Sequence, residues 1–151
     1  MLQLAQPADW EAINALALQL NQSRINWRPD LYMAVEPMYE VERFLMEIRS
    51  RSLYVAKLSD TVIGYIRLVI QKNEAPGELV SRNMVVSELC VDEPYRNQGY
   101  GLAMMEDARA LAKAFGCKDL RLAVYPQNDE AVNFFQKCGF TIHRIDMQRF
   151  I

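Results

Sequence analysis

The stretch PYRNQGYGLAM, residues 94–104, places two glycines one residue apart where a strand pattern gives way to a helix pattern. Its centre is R-x-x-G-x-G, from Arg96 to Gly101. The first backbone N–H groups of a helix have no partner inside it and lie at the positive end of its dipole, where phosphate oxygens bind. Glycine at positions 99 and 101 lets a ligand approach the backbone without a Cβ in the way. The junction therefore predicts a phosphate-binding turn.

Two better-known phosphate motifs do not fit this stretch. A P-loop would continue with Lys and Ser or Thr, but Leu102 and Ala103 follow Gly101. A dinucleotide fingerprint needs Gly or Ala at the position occupied by Met104. An isolated G-x-G is more often a tight turn with nothing bound, so the surrounding sequence has to decide between the two interpretations.

The residues on either side of the motif alternate between strand and helix patterns. Asn83–Val91 reads as a strand, and Asp119–Tyr125 alternates as another. The helix between them ends at Gly116. Its predicted buried face comprises Met104, Met105, Ala108, Leu111, Ala112 and Phe115.

The C-terminal part predicts one more helix and one more strand region. Asn128 or Asp129 can cap a short helix that ends at Gly139. The final residues, FTIHRIDMQRFI (140–151), read as one or two short strands that include the single His143.

The N-terminal part predicts two helices and a hairpin. Asp9 can cap the first helix, and Pro37 can open the second. Leu53–Leu58 and Thr61–Ile70 read as an antiparallel hairpin. The apolar helix positions are Trp10, Ile13, Leu16, Leu20, Val41, Phe44, Leu45 and Ile48. The predicted order is α-α-β-β-β-α-β-α-β, an α/β fold with a mixed sheet and helices against it, in one domain over 1–151.

Composition limits the classes of function. The chain has 151 residues, 51% hydrophobic and 24% charged, with no run long enough to span a bilayer. The first ten residues contain no basic residue, so we expect no signal peptide and a soluble, cytoplasmic protein. A net charge of -2 without a Lys/Arg block argues against general nucleic-acid binding, although a specific RNA substrate is compatible with it.

The cysteines and the histidine predict no metal site. Cys90, Cys117 and Cys138 are odd in number and widely spaced, without a C-x-x-C pair, and there is one histidine. We therefore expect free thiols and no bound metal.

Two motifs at a fixed separation give a family resemblance. SELCVDEPYRNQGYGLAMMEDA followed by LRLAVYPQNDEAVNFFQKCGF resembles the GNAT superfamily of N-acetyltransferases. That family typically shows a strand ending in L-x-V, then R-x-x-G-x-G/A, then N-x-x-A-x-x-F-Y and G-F. The match is close over residues 84–140, and the elements before it agree in order. The resemblance implies a GNAT-like acyl-CoA N-acyltransferase fold.

The resemblance implies acetyl-CoA as cofactor. The pyrophosphate would bind the backbone N–H groups at 98–102, and Arg96 would either add charge or brace the loop. Pantetheine would run along the strand before the loop, and Asn128 would touch it, cap its helix, or do both. The implied cofactor-binding residues are Leu89, Cys90, Val91, Arg96, Asn97, Gln98, Gly99, Tyr100, Gly101, Leu102, Asn128, Phe134, Phe135 and Lys137.

The resemblance also implies the catalytic groups, with one departure. Glu88 is the candidate general base, acting directly or through water, or else it pairs with a basic side chain and orients the substrate. The backbone N–H of Leu89 is the candidate oxyanion donor. Phe135 stands where the family often has the tyrosine that protonates the departing thiolate. Tyr125 can substitute, and a thiol of pKa about 8.5 also leaves as an anion.

Two functions follow from these residues. The first is an enzyme that acetylates a primary amine of a small molecule or peptide in a ternary complex. The second, motivated by Phe135, is a catalytically weak CoA-binding sensor or assembly module. The segments NWRPDLYM (26–33) and QKNEAPGELVSRN (71–83) are the expected specificity elements. Four carboxylates, Glu36, Glu40, Glu74 and Glu78, would attract a cationic amine if they converged, and a homodimer is compatible with the Tyr and Met content.

Overall fold

The computed structural model describes every residue of the chain, 1–151. Its strands form one five-stranded sheet in the order β1-β2-β3-β4-β5, antiparallel throughout except for the parallel pair β4 and β5. The strands are Leu2–Leu4 (β1), Leu53–Leu58 (β2), Thr61–Asn73 (β3), Ser81–Val91 (β4) and Asp119–Arg121 (β5). The helices are Trp10–Trp27 (α1), Val41–Arg49 (α2), Tyr100–Ala114 (α3) and Asp129–Lys137 (α4). The predicted mixed α/β sheet with helices against it is confirmed.

The helices cover both faces of the sheet. On one face, α1 and α2 pack Ile13 and Phe44 against Tyr65 of β3. On the other face, α3 packs Met104 against Ile66, and α4 lies at the edge of the same cluster through Phe134. Since successive strand residues point to opposite faces, β4 contributes to both layers.

Most predicted elements occur where the patterns placed them. The hairpin of β2 and β3 is confirmed, and β4 begins two residues earlier than expected. In α3, Met104, Met105, Ala108 and Ala112 are buried, whereas Leu111 and Phe115 are only half-buried. Gly116 and Gly139 have φ of +72° and +88°, which fits their predicted role of ending α3 and α4.

One predicted helix start was wrong, and one predicted capping hydrogen bond is absent. The second helix begins at Val41, not at Pro37, because the backbone of Glu40 is extended (φ -60°, ψ 148°). Of the apolar residues predicted to face the core in α2, Phe44 is buried, whereas Val41 is 52% exposed. Asp9 precedes α1, but its carboxylate caps no N–H of α1; it accepts from the Gln6 N–H (2.9 Å) and pairs with Lys57 (2.8 Å).

The predicted element order was wrong at both termini. The short β1, which pairs with β2, was not predicted because three residues are too few for a pattern. The last strand ends at Arg121 rather than Tyr125. Residues 140–151 form no strand, and Ile142 is 82% exposed there, because the segment makes no backbone hydrogen bonds to the sheet.

The sheet opens between β4 and β5. The pairing of β4 with β5 stops at Val85↔Arg121. Close to this point the register of β3 and β4 shifts, so that Ser87, between Val86 and Glu88, has no paired residue on β3. Such a bulge bends the strand. Residues 86–91 therefore present a backbone edge without a neighbouring strand on the β5 side. None of the helices has the length and apolar composition that crossing a membrane requires.

Candidate active site

The turn between β4 and α3 leaves backbone donors free. The N–H groups of Gln98 and Gly99 make no hydrogen bond within the protein, and those of 100–102 belong to the first turn of α3. Gly99 has φ of +87°, in the left-handed region, and a Cβ placed on it would meet nothing within 4 Å. Asn97 also has a positive φ of 59°. The turn thus offers a cluster of donors open to the outside at the positive end of a helix.

Gly101 leaves little room for a larger residue. A Cβ at this position would lie 3.1 Å from Cζ of Phe134 and 3.3 Å from its Cε2. The first turn of α3 therefore lies directly against α4. Phe134, predicted to bind cofactor, is placed by the structure as the ring that packs on this glycine.

Arg96 turns away from the free N–H groups. Its Nε donates to the Val91 carbonyl (2.8 Å), and its Nη2 donates to Oε1 of Gln19 (3.1 Å) in α1. The amide of Gln19 donates in turn to Asp92 (2.8 Å). Of the two roles considered for Arg96, the structure supports bracing the loop.

The free edge of β4 adjoins this turn. Leu89 and Val91 pack on the α3 side, and Cys90 is buried on the α1 side. Burial raises the pKa of the Cys90 thiol to about 11, so the thiol is protonated at neutral pH and is not a nucleophile. Gly64 of β3 allows this packing, because a Cβ there would lie 2.8 Å from the Cys90 carbonyl oxygen.

Glu88 is held by two buried tyrosines. Its Oε2 accepts hydrogen bonds from the hydroxyl of Tyr39 (2.7 Å) and from that of Tyr65 (2.6 Å). The side chains are 1% and 0% exposed. Burial, followed by the neighbouring carboxylate, raises the pKa of both phenols, so both remain donors. Oε1 of Glu88 has no partner within the protein and is the oxygen left for a substrate or water.

Tyr39 is itself fixed by α1. The Oδ1 of Asn14 accepts from the Tyr39 N–H (2.7 Å), and Nε1 of Trp10 donates to the Tyr39 carbonyl (2.9 Å). Tyr39, Tyr65 and Asn14 were not predicted from the sequence. The one available signal was a polar residue, Asn14, on the otherwise apolar side of α1.

Three comparisons with known proteins bear on this arrangement. The family model described as acetyltransferase (GNAT) family matches residues 21–140. The chain belongs to the GNAT acetyltransferase family. A spermidine N(1)-acetyltransferase from Thermoplasma acidophilum is 31% identical over 123 residues, covering 78% of this chain and 71% of the relative.

Solved structures of the same fold agree along the whole chain. A variant of the BH1408 protein from Bacillus halodurans superposes with a TM-score of 0.93 at 22% identity, covering 100% of this chain and 99% of the other. The aminoglycoside N-acetyltransferase AAC(6')-Iy in complex with CoA superposes with a TM-score of 0.71 at 14% identity, covering 100% and 99%. The named acceptors differ, so the family supports acetyl transfer without identifying the acceptor.

The residues of the GNAT motif after β5 make contacts that stabilise α4. The side-chain oxygen of Asn128 accepts from the Ala131 N–H (3.2 Å), which is the predicted cap of α4. Phe135 packs against Phe134 and Phe140, with ring centroids 5.2 and 5.9 Å away. Lys137 is exposed in the last turn of α4 and forms no ion pair. Helix α4 contains no tyrosine, so it has no phenol that could replace one at Phe135.

Tyr125 follows the end of β5 by four residues. Its hydroxyl is 3.1 Å from that of Tyr32, which belongs to the segment between α1 and α2. The hydrogen bond to Tyr32, together with burial, raises the Tyr125 pKa. The guanidinium of Arg28 lies 5.6 Å from the Tyr125 ring centroid. The segment around NWRPDLYM thus contributes side chains to this side of the molecule.

The four carboxylates that were considered for a cationic amine do not form one cluster. Glu36 lines a groove beside Trp10, and Glu40 precedes α2. Glu74 pairs with Lys72 (3.1 Å) in the connection from β3 to β4, where Glu78 accepts from Asn73. No group of three or more acidic, His or Cys side chains has an arrangement that could hold a metal ion.

Proposed function

We propose that this GNAT protein transfers an acetyl group from acetyl-CoA to a primary amine by direct attack in a ternary complex. The proposal rests on the arrangement of three features along β4 and the turn after it. The free N–H donors of the turn suit a pyrophosphate, and the open edge of β4 suits a chain that carries amide groups. The fixed carboxylate of Glu88 suits a general base.

The residues present fit coenzyme A. The N–H groups at 98–102 and the open space around Gly99 suit phosphate oxygens. Residues 89–91 offer backbone groups without a strand partner on the β5 side. Bound acetyl-CoA would supply the activated acetyl group as a thioester. Arg96 contributes indirectly, through the turn it braces.

The proposed catalytic role of Glu88 depends on its free oxygen. An alkyl amine with a pKa of about 10.4 is neutral in less than about one molecule in a thousand at pH 7, so a proton acceptor accelerates attack. The tyrosine hydroxyls occupy Oε2 and leave Oε1 to accept a proton from the amine or from a water. The Leu89 N–H, on the same strand, is the proposed donor to the developing oxyanion.

The proton for the departing sulfur is assigned to Tyr125. Phe135 cannot donate a proton, whereas the Tyr125 hydroxyl is protonated and linked to Tyr32. The requirement is modest, because a thiol of pKa about 8.5 is a good leaving group even as an anion.

A second candidate, a CoA-binding module with weak catalysis, rests on Phe135. One experiment separates the two functions. Calorimetry measures CoA binding, and a thiol reagent follows CoA release from acetyl-CoA with a panel of amines. We expect micromolar binding and amine-dependent thiol release. Binding without thiol release on any amine would favour the module, and absence of binding would refute both.

A further inference from the structure

A guanidinium without a carboxylate partner lies beside the proposed base. Arg24, in the last turns of α1, is half-buried, and its Nη2 donates to the carbonyl of Ser87 (3.3 Å). Ser87 is the bulged residue directly before Glu88. The guanidinium also lies 5.8 Å from the ring centroid of Tyr32. No carboxylate is within 4.0 Å of it.

Three other guanidiniums on this side of the sheet have a carboxylate within 4.0 Å. Arg28 pairs with Asp30 (2.6 Å), and Arg67 (2.9 Å) and Arg43 (3.9 Å) share Glu47. Arg96 has no carboxylate partner either, but it donates to the Val91 carbonyl and to Gln19, away from Glu88. Arg24 is therefore the guanidinium without a carboxylate partner that contacts the residue next to Glu88.

Such a group is suited to bind an anion. A guanidinium offers a planar set of donors that matches carboxylate and phosphate oxygens, and hydrogen bonds to an anion are about twice as strong as neutral ones. Arg24 uses one of its five N–H donors on Ser87. The contacted residue is one position from Glu88, about 3.3 Å along a strand. The guanidinium is therefore anchored at the strand position next to Glu88.

We propose that the acceptor of this protein is an amine that also carries an anionic group, a carboxylate or a phosphate, which Arg24 binds while Glu88 faces the amine. The inference rests on the proposed acetyl transfer and names its substrate class. A polyamine fits less well, because its additional positive charges would meet the guanidinium of Arg24, which has no carboxylate partner.

Two matched pairs of acceptors test this proposal. Ornithine and putrescine are diamines that differ by a carboxylate, and O-phosphoethanolamine and ethanolamine differ by a phosphate. Thiol release from acetyl-CoA gives kcat/KM for each. We expect the anionic member of at least one pair to be preferred about tenfold or more, consistent with a charge-assisted hydrogen bond. The pair that shows the preference identifies the anion as carboxylate or phosphate.

Variants of Arg24 assign the preference to this residue. Arg24→Gln should raise KM for the anionic acceptor about tenfold and so remove its preference over the member of each pair that lacks the anionic group. Arg24→Lys should retain part of the preference, because the charge remains. Arg82→Gln is the matched control, because that guanidinium donates to the Phe115 carbonyl (3.0 Å) beyond the end of α3. Thermal melting verifies that each variant is folded.

The outcomes separate this inference from the proposed function. Faster turnover of putrescine than of ornithine, together with no preference for phosphate, would overturn the anionic acceptor while leaving acetyl transfer intact. An unchanged preference in Arg24→Gln would overturn the role of Arg24. If no amine is acetylated, calorimetry of the anionic acceptors with the protein–CoA complex decides: binding that Arg24→Gln abolishes supports the site, and no binding contradicts it.

Discussion

The turn between β4 and α3, where we propose that phosphate binds, and the proposed acceptor side of this GNAT protein are built in opposite ways. The turn comes from one continuous stretch, 91–102, and offers backbone N–H groups. The acceptor side is assembled from α1, the segment between α1 and α2, β3, β4 and the residue Tyr125, and it offers side chains. A site made of backbone N–H groups needs glycines at a helix start, and these form a recognisable sequence motif. A site made of side chains needs only that residues distant in sequence come together, so it has no such motif.

The largest effect is expected from a substitution that impairs the proposed acceptor side and leaves the turn after β4 intact. Glu88→Gln keeps an oxygen that accepts from the two tyrosines but removes the proton acceptor. We expect kcat to fall about a hundredfold or more, the usual worth of a general base, with CoA affinity unchanged. Steady-state kinetics and calorimetry measure the two quantities. Glu74→Gln, at the Lys72 ion pair, is the control, and full turnover of Glu88→Gln at every pH would remove Glu88 as the base.

The second effect breaks the turn and spares the acceptor side. Gly99→Val forces a β-branched residue into a left-handed backbone and places a side chain where a ligand would approach. Gly116→Val carries the same strain at the other end of α3, with φ of +72° and nothing within 4 Å of a Cβ. Both variants should lose about 1–2 kcal/mol in the free energy of unfolding.

The contrast between these two valine variants lies in cofactor binding. We expect Gly99→Val to raise the Kd for CoA at least tenfold and Gly116→Val to leave it within twofold. Calorimetry measures both values. Equal affinities for the two variants would mean that the free N–H groups after β4 are not the phosphate site.

A third, smaller effect concerns the tyrosines that hold Glu88. Tyr39→Phe and Tyr65→Phe each remove one hydrogen bond to Oε2 and allow the carboxylate to move. We expect kcat to fall about threefold to tenfold, in line with the loss of one hydrogen bond to a charged group, without a change in CoA affinity. Tyr54→Phe is the control, because Tyr54 is buried on the α3 face and makes no side-chain hydrogen bond. Unchanged kcat in both variants would show that Glu88 needs no such support.

The smallest effect concerns the pH dependence of stability and arises at Glu47 of α2, outside the acceptor side. Burial acts to raise the pKa of Glu47, but hydrogen bonds from Arg67 and Ser52 outweigh it and hold the pKa below the ordinary 4.5. The ionised carboxylate therefore stabilises the fold above that value, and the contribution is lost as the pH falls through the lowered pKa.

Glu47→Gln should accordingly flatten the acid side of the stability curve. Urea unfolding between about pH 5 and pH 3 measures it, and we expect a difference of about 1 kcal/mol or less in the change of unfolding free energy over that window. Glu42→Gln, an exposed carboxylate in the first turn of α2, serves as control. A curve for Glu47→Gln parallel to that of the wild type would contradict the lowered pKa.

What the sequence predicted follows the same division. The central hairpin, α3, α4 with its Asn128 cap, and the turn at Gly99 were predicted because local spacing determines each of them. Glu88 was also predicted, from its place on the strand before the turn.

Other features depend on contacts distant in sequence. The tyrosine pair around Glu88 and the link between Tyr32 and Tyr125 join residues 23 to 93 positions apart. The pairing of β5 ends close to the bulge at Ser87, and the segment 140–151 has no strand partner. Single-sequence patterns contain none of this information. The direction taken by Arg96 likewise needed the position of Gln19 on α1.

The close contact between Gly101 and the ring of Phe134 has an implication for altering this protein. A larger side chain at 101 requires the ring at 134 to shift by a few tenths of an ångström or to be replaced by a smaller one, so the two positions share one volume. Substitutions that enlarge residue 101 should therefore be made together with a smaller residue at 134. The double variant Gly101→Ala with Phe134→Leu is the first such pair to make.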